Sequence, residues 1–123
     1  MAGFGRSIVA VDDSALILKM LDRVLAKRYD LYSYVDENRA LEFLRKKTPN
    51  LIILDIDMPR INGFDMLKLI KEENHLKEVP VIFLTSNNDK THVVKAMTSG
   101  ASDYVIKPID ETILLRKIDK LLS

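Results

Sequence analysis

The sequence predicts an α/β fold with a parallel sheet, because short apolar runs alternate with amphipathic helical patterns along the whole chain. Three of the five runs are almost continuously apolar, which is typical of strands that are covered on both faces. The second run alternates apolar and polar side chains, so we expect it at a sheet edge. The predicted strands are SIVAV at 7–11, LYSYV at 31–35, LIIL at 51–54, VIFL at 81–84 and YVI at 104–106.

Apolar residues at helical spacing predict a helix after every strand. Ser14 is placed to cap the first helix, and Gly100 is placed to end the fourth. Four side chains of the fifth helix are expected to face inward: Ile113, Leu114, Ile118 and Leu121. The predicted helical segments are residues 14–30, 36–47, 62–73, 88–100 and 110–123.

Length and composition indicate one ordinary globular domain over residues 1–123, with its core at about 7–122. The chain is 47% hydrophobic and 30% charged, and 123 residues suffice for one hydrophobic core. A net charge of +1 provides no general attraction to nucleic acid or to an anionic membrane. The absence of cysteine excludes thiolate chemistry and disulfides. Because no apolar stretch suits a signal peptide or a membrane span, a cytoplasmic location is expected.

Polar side chains follow four of the five predicted strands. The carboxyl ends of parallel strands lie along one edge of the sheet, where open α/β sheets bind their ligands, so these side chains should meet in one crevice. Taken singly, each could be a turn or cap residue. Carboxylates, a hydroxyl and an ammonium together favour a site. The residues are Asp12 and Asp13, Asp55 and Asp57, Thr85, Ser86 and Asn87, and Lys107 with Pro108.

Crowded carboxylates at this edge predict a divalent cation. Like charges repel one another unless a proton or a cation intervenes, and hard oxygen ligands suit Mg²⁺. With such an ion in place, an aspartate at a strand end can attack a phosphorus atom whose oxygens are neutralised by the ion, a lysine and a hydroxyl. Asp55 is therefore predicted to form an aspartyl phosphate.

Four segments together resemble the receiver domain of two-component response regulators, particularly the single-domain chemotaxis type. The match extends from Ser7 to Leu122. The resemblance implies a three-layer (βα)5 flavodoxin-like sandwich with five parallel strands in the order 2-1-3-4-5. The segments are VDDS at 11–14, LDIDMPRINGFDML at 54–67, VPVIFLTS at 79–86 and GASDYVIKP at 100–108.

The resemblance also implies how a phosphoryl group would be held. Asp55 would accept it, and Thr85 and Lys107 would bind its oxygens. A cis peptide bond is expected between Lys107 and Pro108, as is common in the family. Tyr104 matches the aromatic residue that turns inward when Thr85 moves toward the phosphate, so Thr85 and Tyr104 would form the switch.

The metal ligands are implied in the same way. Asp13 would bind Mg²⁺ directly, Asp12 would help through a water molecule, and Asp55 and the main-chain carbonyl of Asp57 would also belong to the metal site. Asp57 occupies a position that varies in the family, and its carboxylate should favour the cation and repel an anion. We therefore expect Asp57 and Asn87 to tune the lifetime of the phosphoryl group.

The implied partners are a sensor histidine kinase or a histidine phosphotransfer protein, and a downstream target protein. The donor would dock near the first helix through residues such as Ala15 and Leu18, and the target would bind the fourth helix, fifth strand and fifth helix. The chain would catalyse only its own phosphorylation and dephosphorylation, so it is not expected to be an enzyme otherwise. Neither direct nucleic-acid binding nor membrane insertion is expected. His75 and His92 are expected to be exposed rather than metal ligands.

Two other protein classes share features with this sequence. LIILDID resembles the strand and Asp-x-Asp of haloacid dehalogenase phosphohydrolases, in which the second aspartate is a general acid. Pro59 replaces the threonine or valine expected there, the Asp12–Asp13 pair precedes the nucleophile, and the chain is short. A flavin-binding relative of similar topology is less favoured still, because Asp12 and Asp13 would repel the flavin phosphate.

Overall fold

Five parallel strands form one sheet in the order β2-β1-β3-β4-β5, with helices on both faces. This computed structural model describes residues 5–87 and 89–123. The predicted class, topology and edge position of β2 are confirmed. The elements are β1 Ser7–Val11, α1 Ala15–Leu25, β2 Asp30–Tyr34, α2 Glu37–Lys46, β3 Leu51–Asp55, α3 Gly63–Glu72, a 3₁₀ turn Asn74–Leu76, β4 Val81–Thr85, α4 Lys90–Thr98, β5 Asp103–Ile106 and α5 Glu111–Leu122.

The two faces of the sheet carry separate hydrophobic layers. On one face, α1 and α5 pack against the strands through leucine and isoleucine side chains such as Leu21 and Ile118. On the other face, α2 and α3 supply most of the helical contacts, while α4 adds Ala96. The central strands β3 and β4 are buried at every residue, which explains their continuous apolar sequence. The polar ends of these strands are therefore held on a rigid frame.

The structure differs from the prediction at several element boundaries. Strand β2 begins and ends one residue earlier than expected, and α1 ends at Leu25 rather than at residue 30. Ile113 is 42% exposed, so its predicted inward orientation is wrong, and Leu121 is only partly buried. Residues 1–4 of the predicted domain and residue 88, the expected start of the fourth helix, lie outside the described residues.

Helix ends are fixed largely by side-chain caps. Ser14 accepts a hydrogen bond from the amide of Ile17, as predicted, and Asp36, Asn62, Asp89 and Asp110 cap the four later α-helices. Gly100 follows α4 with a φ of 106°, a conformation that favours glycine. Within the described part of the chain, no helix is both long and apolar enough to cross a membrane.

Candidate functional site

The carboxyl edge of the sheet brings four predicted site residues together. Asp12 follows β1, Asp55 ends β3, Thr85 ends β4 and Lys107 follows β5. The strands β1, β3, β4 and β5 are successive neighbours in the sheet, so these four residues lie next to one another along its edge in that order. The main-chain amide of Lys107 donates to the carbonyl of Thr85 (2.8 Å), which extends the pairing of β5 with β4 beyond the strands.

An acidic cluster, which we define as Asp12, Asp13 and Asp55, forms one side of this edge. One carboxylate oxygen from each residue lies within 4.8 Å of the others. Asp12 and Asp55 are buried, whereas Asp13 is exposed. The exposed member leaves the cluster open to solvent on one side. This arrangement of oxygen ligands can hold a hard divalent cation such as Mg²⁺.

The Asp12 carboxylate also fits a cation site in its hydrogen bonding. Its Oδ1 accepts a hydrogen bond from the amide of Ser14 at 2.9 Å. Its Oδ2 is buried and accepts no hydrogen bond of good geometry within the described residues, although Nζ of Lys107 lies 3.0 Å away as an ion-pair partner. Buried carboxylate oxygens are normally satisfied, so this one has capacity for a further electropositive partner.

Lys107 bridges two buried carboxylates. Its Nζ donates to Oδ1 of Asp55 at 3.2 Å and lies 3.0 Å from Oδ2 of Asp12. Burial alone would lower the pKa of Lys107, but its close ion pair with Asp12 and the charge and hydrogen bond of Asp55 outweigh that effect and raise the pKa above its ordinary value. The ammonium therefore stays charged. The peptide bond between Lys107 and Pro108 is cis, as expected.

The ionised form of Asp55 is disfavoured by its surroundings in the folded protein. Burial raises the pKa of its carboxyl group from 3.8 to about 6, and the charge of Asp12 adds to the rise. The charge of Lys107 opposes the shift, and so do the hydrogen bonds that Lys107 and the amide of Asp57 donate to the carboxylate. A cation bound at the acidic cluster would favour the ionised form further.

The loop after β3 holds Asp55 and Asp57 by main-chain contacts. The amide of Asp57 donates to Oδ1 of Asp55 at 3.3 Å, and the amide of Gly63 donates to the carbonyl of Ile56 at 2.8 Å. A Cβ at Gly63 would lie 2.6 Å from the carbonyl oxygen of Asp55, so only glycine fits there without a backbone shift. The Asp57 carboxylate is exposed and lies outside the acidic cluster.

Thr85 is buried and its hydroxyl is already engaged. Oγ1 of Thr85 accepts a hydrogen bond from the amide of Asn87 at 3.0 Å. The same hydroxyl donates to the carbonyl oxygen of Asn87, which lies 3.3 Å away. Nε2 of His92 lies 3.1 Å from Oγ1. The side-chain oxygen of Asn87 accepts from the amide of Asp89, so Asn87 shapes the loop after β4.

His92 is the residue that sequence reasoning missed. The prediction that it is exposed is wrong, since it is half-buried and contacts Thr85. No sequence pattern signals this contact, because it joins a strand end to a helix across an irregular loop. His75, by contrast, is exposed, with its Nε2 2.6 Å from the carbonyl oxygen of Leu44.

Tyr104 lies on β5 directly beside Phe83 of β4. Its side chain is partly buried against the core layer of α2, α3 and α4. On the α5 side, Nζ of Lys117 lies 4.7 Å from the centre of the ring and donates to the main-chain carbonyl of Tyr104 at 2.6 Å. Tyr104 thus packs on the face of the sheet opposite to the core of α5, with Lys117 reaching its ring, and its role in switching stays a prediction.

The exposure of α1 fits only one of the two docking residues that were predicted there. Ala15 is exposed, as a docking residue must be, but Leu18 is only 8% exposed and belongs to the core. Leu18 therefore cannot contact a partner as expected. Leu16 is 77% exposed and is the apolar side chain that α1 offers to solvent.

Comparison with known proteins decides the family. The family model described as the response regulator receiver domain matches residues 8–119. The chain belongs to this family. The two-component response regulator ORR3 of Oryza sativa is 34% identical over 117 residues, a match that covers 94% of this chain and 89% of that protein.

Solved receiver structures share the fold closely. The chemotaxis protein CheY4 of Vibrio cholerae is 27% identical with a TM-score of 0.89, over 95% of this chain and 98% of that one. The BeF3-activated receiver domain of Thermotoga maritima DrrB is 30% identical with a TM-score of 0.87, over 95% and 97%. These relatives favour the receiver interpretation over the haloacid dehalogenase and flavin-binding alternatives. Response regulator receiver domains interact with kinases or phosphotransfer proteins and with downstream targets.

Proposed function

We propose that this receiver domain accepts a phosphoryl group on Asp55 from a histidine kinase or a histidine phosphotransfer protein, in a reaction that requires Mg²⁺. The observation that carries the proposal is that the Asp55 carboxylate lies beside the Lys107 ammonium and within one cluster with the other two aspartates. A cation on one side and an ammonium on the other neutralise the oxygens of a transferring phosphoryl group.

The chemistry requires one bond to form and one to break. A carboxylate oxygen of Asp55 attacks phosphorus, the P–N bond of the donor phosphohistidine breaks, and the imidazole nitrogen keeps the electron pair. Both hydrogen bonds to the Asp55 carboxylate from described residues are made to Oδ1, which leaves Oδ2 for attack. Hydrolysis reverses the modification when water attacks phosphorus and the Asp55 carboxylate departs as the leaving group.

The remaining site residues hold the phosphoryl group. Lys107 moves little to contact one of its oxygens, since the ammonium already lies 3.2 Å from Asp55. The Thr85 hydroxyl donates to another oxygen after turning toward Asp55. Asp12, Asp13 and Asp55 are the side chains that would hold Mg²⁺, which supplies positive charge against the phosphoryl oxygens when bound. The main-chain carbonyl of Asp57 is proposed as a further ligand.

The output surface of the proposal is the face formed by α4, β5 and α5. Three apolar side chains are exposed on its two helices: Val94, Met97 and Ile113, at 51%, 40% and 42%. Movement of Thr85 toward the phosphate lets Tyr104 turn inward and changes this face for a downstream protein. In this role the chain works in the cytoplasm and catalyses only its own phosphorylation and dephosphorylation.

Intact-mass spectrometry after incubation with acetyl phosphate tests the proposal. We expect one labile phosphoryl adduct that requires Mg²⁺ and is absent from the Asp55→Asn variant. The matched control is Asp65→Asn, an exposed aspartate on α3 that should leave the adduct unchanged. A wild-type protein that forms no adduct after rapid quenching, or an adduct that survives Asp55→Asn, would contradict the proposal.

A second measurement separates the receiver from a phosphohydrolase. The wild-type protein is incubated with a phosphate monoester such as p-nitrophenyl phosphate, and released product is counted per protein molecule. A receiver should show no sustained turnover. Sustained turnover that requires the Asp57 carboxylate would indicate general-acid catalysis by the second aspartate and would favour the haloacid dehalogenase alternative.

A further inference from the structure

His92 connects three elements of the molecule around the Thr85 hydroxyl. The imidazole lies on the first turn of α4, and its Nε2 is 3.1 Å from Oγ1 of Thr85 at the end of β4. Its ring packs edge-to-face on Phe64 of α3, with 5.8 Å between ring centroids. Phe64 packs in turn on Phe83 of β4 at 5.3 Å. The imidazole is therefore held by the Phe64 ring while its Nε2 contacts Thr85.

The Thr85 hydroxyl can bind only a limited number of partners. It has one proton to donate and two lone pairs to accept with. The amide of Asn87 already occupies one acceptor position, and the carbonyl oxygen of Asn87, 3.3 Å away, is a second group besides His92 that can accept the proton. If His92 accepts at Nε2, it competes directly with a phosphoryl oxygen for the single proton. If His92 donates, it holds Oγ1 on the α4 side. In both tautomers the contact opposes a turn toward Asp55.

We propose that His92 is a positioning residue that holds the Thr85 hydroxyl in its unphosphorylated orientation and ties that orientation to helix α4. This inference rests on the proposed phosphorylation of Asp55. All hydrogen-bonding groups around Oγ1 in the described residues belong to the segment after β4 or to α4, and none belongs to the acidic cluster. The His92 contact is lost when Thr85 binds a phosphoryl oxygen.

Loss of this contact would loosen α4 in particular. Ala96 is the one buried residue of this nine-residue helix, so few apolar contacts hold it to the sheet. The two imidazole contacts, with Thr85 and with Phe64, add to that small number. Helix α4 also belongs to the proposed output face. His92 thus provides a direct physical link between the phosphoryl site and the surface that a target would bind.

The test measures the affinity of the protein for beryllofluoride, an anion that mimics the phosphoryl group on a carboxylate. Titrations with saturating Mg²⁺ are followed by NMR for the wild type and for His92→Ala, His92→Gln and His92→Asn. A ligand that selects the turned Thr85 binds more tightly when the competing contact is removed. His92→Ala should tighten binding about two- to tenfold, the range expected for one net hydrogen bond.

Two substitutions distinguish positioning from simple packing. A glutamine amide reaches about as far as Nε2 of the imidazole, so His92→Gln should bind beryllofluoride within about twofold of the wild type. An asparagine amide is one methylene shorter and should behave like alanine. In a Thr85→Ala background, His92→Ala should have no further effect on affinity. His75→Ala is the matched control at the second histidine of the sequence and should leave affinity unchanged.

The imidazole signals provide an independent readout. The chain has two histidines, so the ring resonances are assigned by comparing the His75→Ala and His92→Ala spectra. Saturation with beryllofluoride should shift the His92 nitrogen signals and leave those of His75 in place. Unshifted His92 signals, equal affinity changes in His92→Ala and His92→Gln, or an unchanged affinity in His92→Ala would overturn the inference. A wild type that binds no beryllofluoride and forms no Asp55 adduct would instead overturn the proposed function and the inference together.

Discussion

Two partly buried lysines of this receiver domain have opposite electrostatic surroundings. Lys71, on α3, donates hydrogen bonds to three main-chain carbonyls, those of Leu76, Lys77 and Val79, at 3.3, 3.0 and 2.7 Å. Burial lowers its pKa below the ordinary value, and the charge of Glu78 only partly offsets this effect. Lys107 instead forms ion pairs with both Asp12 and Asp55, and these two carboxylates raise its pKa despite burial.

The difference shows that hydrogen bonds to neutral groups do not by themselves raise the pKa of a partly buried lysine. Neutral carbonyls satisfy the donors of Lys71 but supply no net charge, so the protein tolerates that ammonium without favouring it. Carboxylates supply both hydrogen-bond acceptors and negative charge. The buried ammonium of Lys107 and the carboxylates of Asp12 and Asp55 therefore stabilise one another's charges. Lys71 thus fixes the turn between α3 and β4, whereas Lys107 holds two carboxylates together at the proposed phosphorylation site.

Replacing Lys107 should have the largest effect. Lys107→Met leaves two buried carboxylates without their ammonium, which should cost about 3–5 kcal/mol of unfolding free energy at pH 7 without metal. The loss should shrink at low pH, where Asp55 takes up a proton, and when Mg²⁺ is added. Phosphorylation by acetyl phosphate should slow about a hundredfold or more. Urea denaturation with EDTA or Mg²⁺ and timed mass spectrometry measure both effects. A stability loss that is equal at pH 4 and pH 7 would contradict this account.

Removing the charge of Asp55 should have the opposite effect on stability. Because the pKa of Asp55 is raised from 3.8 to about 6, its ionised form is disfavoured in the folded state by roughly 3 kcal/mol. The cost is present in full above about pH 6 and disappears as pH falls below 3.8. Asp55→Asn should therefore stabilise the metal-free protein at pH 7 by up to that amount, and Mg²⁺ should reduce the gain. Asp65→Asn is the control. An equal gain for Asp55→Asn at pH 3.5 and pH 7 would contradict the linkage.

Replacing Lys71 should affect stability alone. Lys71→Met removes the donor shared by three carbonyls but also removes a desolvated charge, so the net loss should be about 1–2 kcal/mol. Acetyl phosphate labelling of Asp55 should proceed at the wild-type rate at temperatures where the variant is folded. Urea denaturation and intact-mass measurements check the two statements. Slower labelling in folded Lys71→Met would remove the distinction between the two lysines.

Much of the site could be predicted because parallel strands impose it. Alternation of strands and helices predicts a parallel sheet, and such a sheet places Asp12, Asp55 and Lys107 at one edge whatever the details of packing. The strand order itself came from resemblance to receiver domains. Caps such as Ser14 were predictable too, because a cap depends on the residues within one turn of it.

Contacts outside regular periodicity could not be predicted. Lys71 reaches carbonyls up to eight residues away, and His92 reaches Thr85 across an irregular loop, so neither contact repeats with helical spacing. Ile113 shows that apolar character alone does not fix which way a helical residue faces. Leu18 shares the helical spacing of core residues Leu21 and Leu25, and that spacing already favoured burial over docking.

The smallest expected effect is that of replacing Asp57, whose carboxylate is near the site but is not a member of the acidic cluster. The carboxylate is exposed and outside the acidic cluster, although the amide of the same residue donates to Asp55. An exposed charge pair contributes at most about 1 kcal/mol, and salt screens it. Asp57→Asn should therefore weaken Mg²⁺ binding and alter the dephosphorylation rate by up to about fivefold, with smaller changes at high ionic strength.

Titration with Mg²⁺ and timed mass spectrometry at two salt concentrations measure these effects, with Asp65→Asn as the control. Asn87→Ala tests the other predicted tuning residue, since its side-chain oxygen accepts from the amide of Asp89 and so shapes the loop beside Thr85. If Asp57→Asn left both Mg²⁺ affinity and dephosphorylation unchanged, its charge would have no tuning role. Buried charges such as Lys107 would then account for the electrostatics of the site, because only they act where water does not screen them.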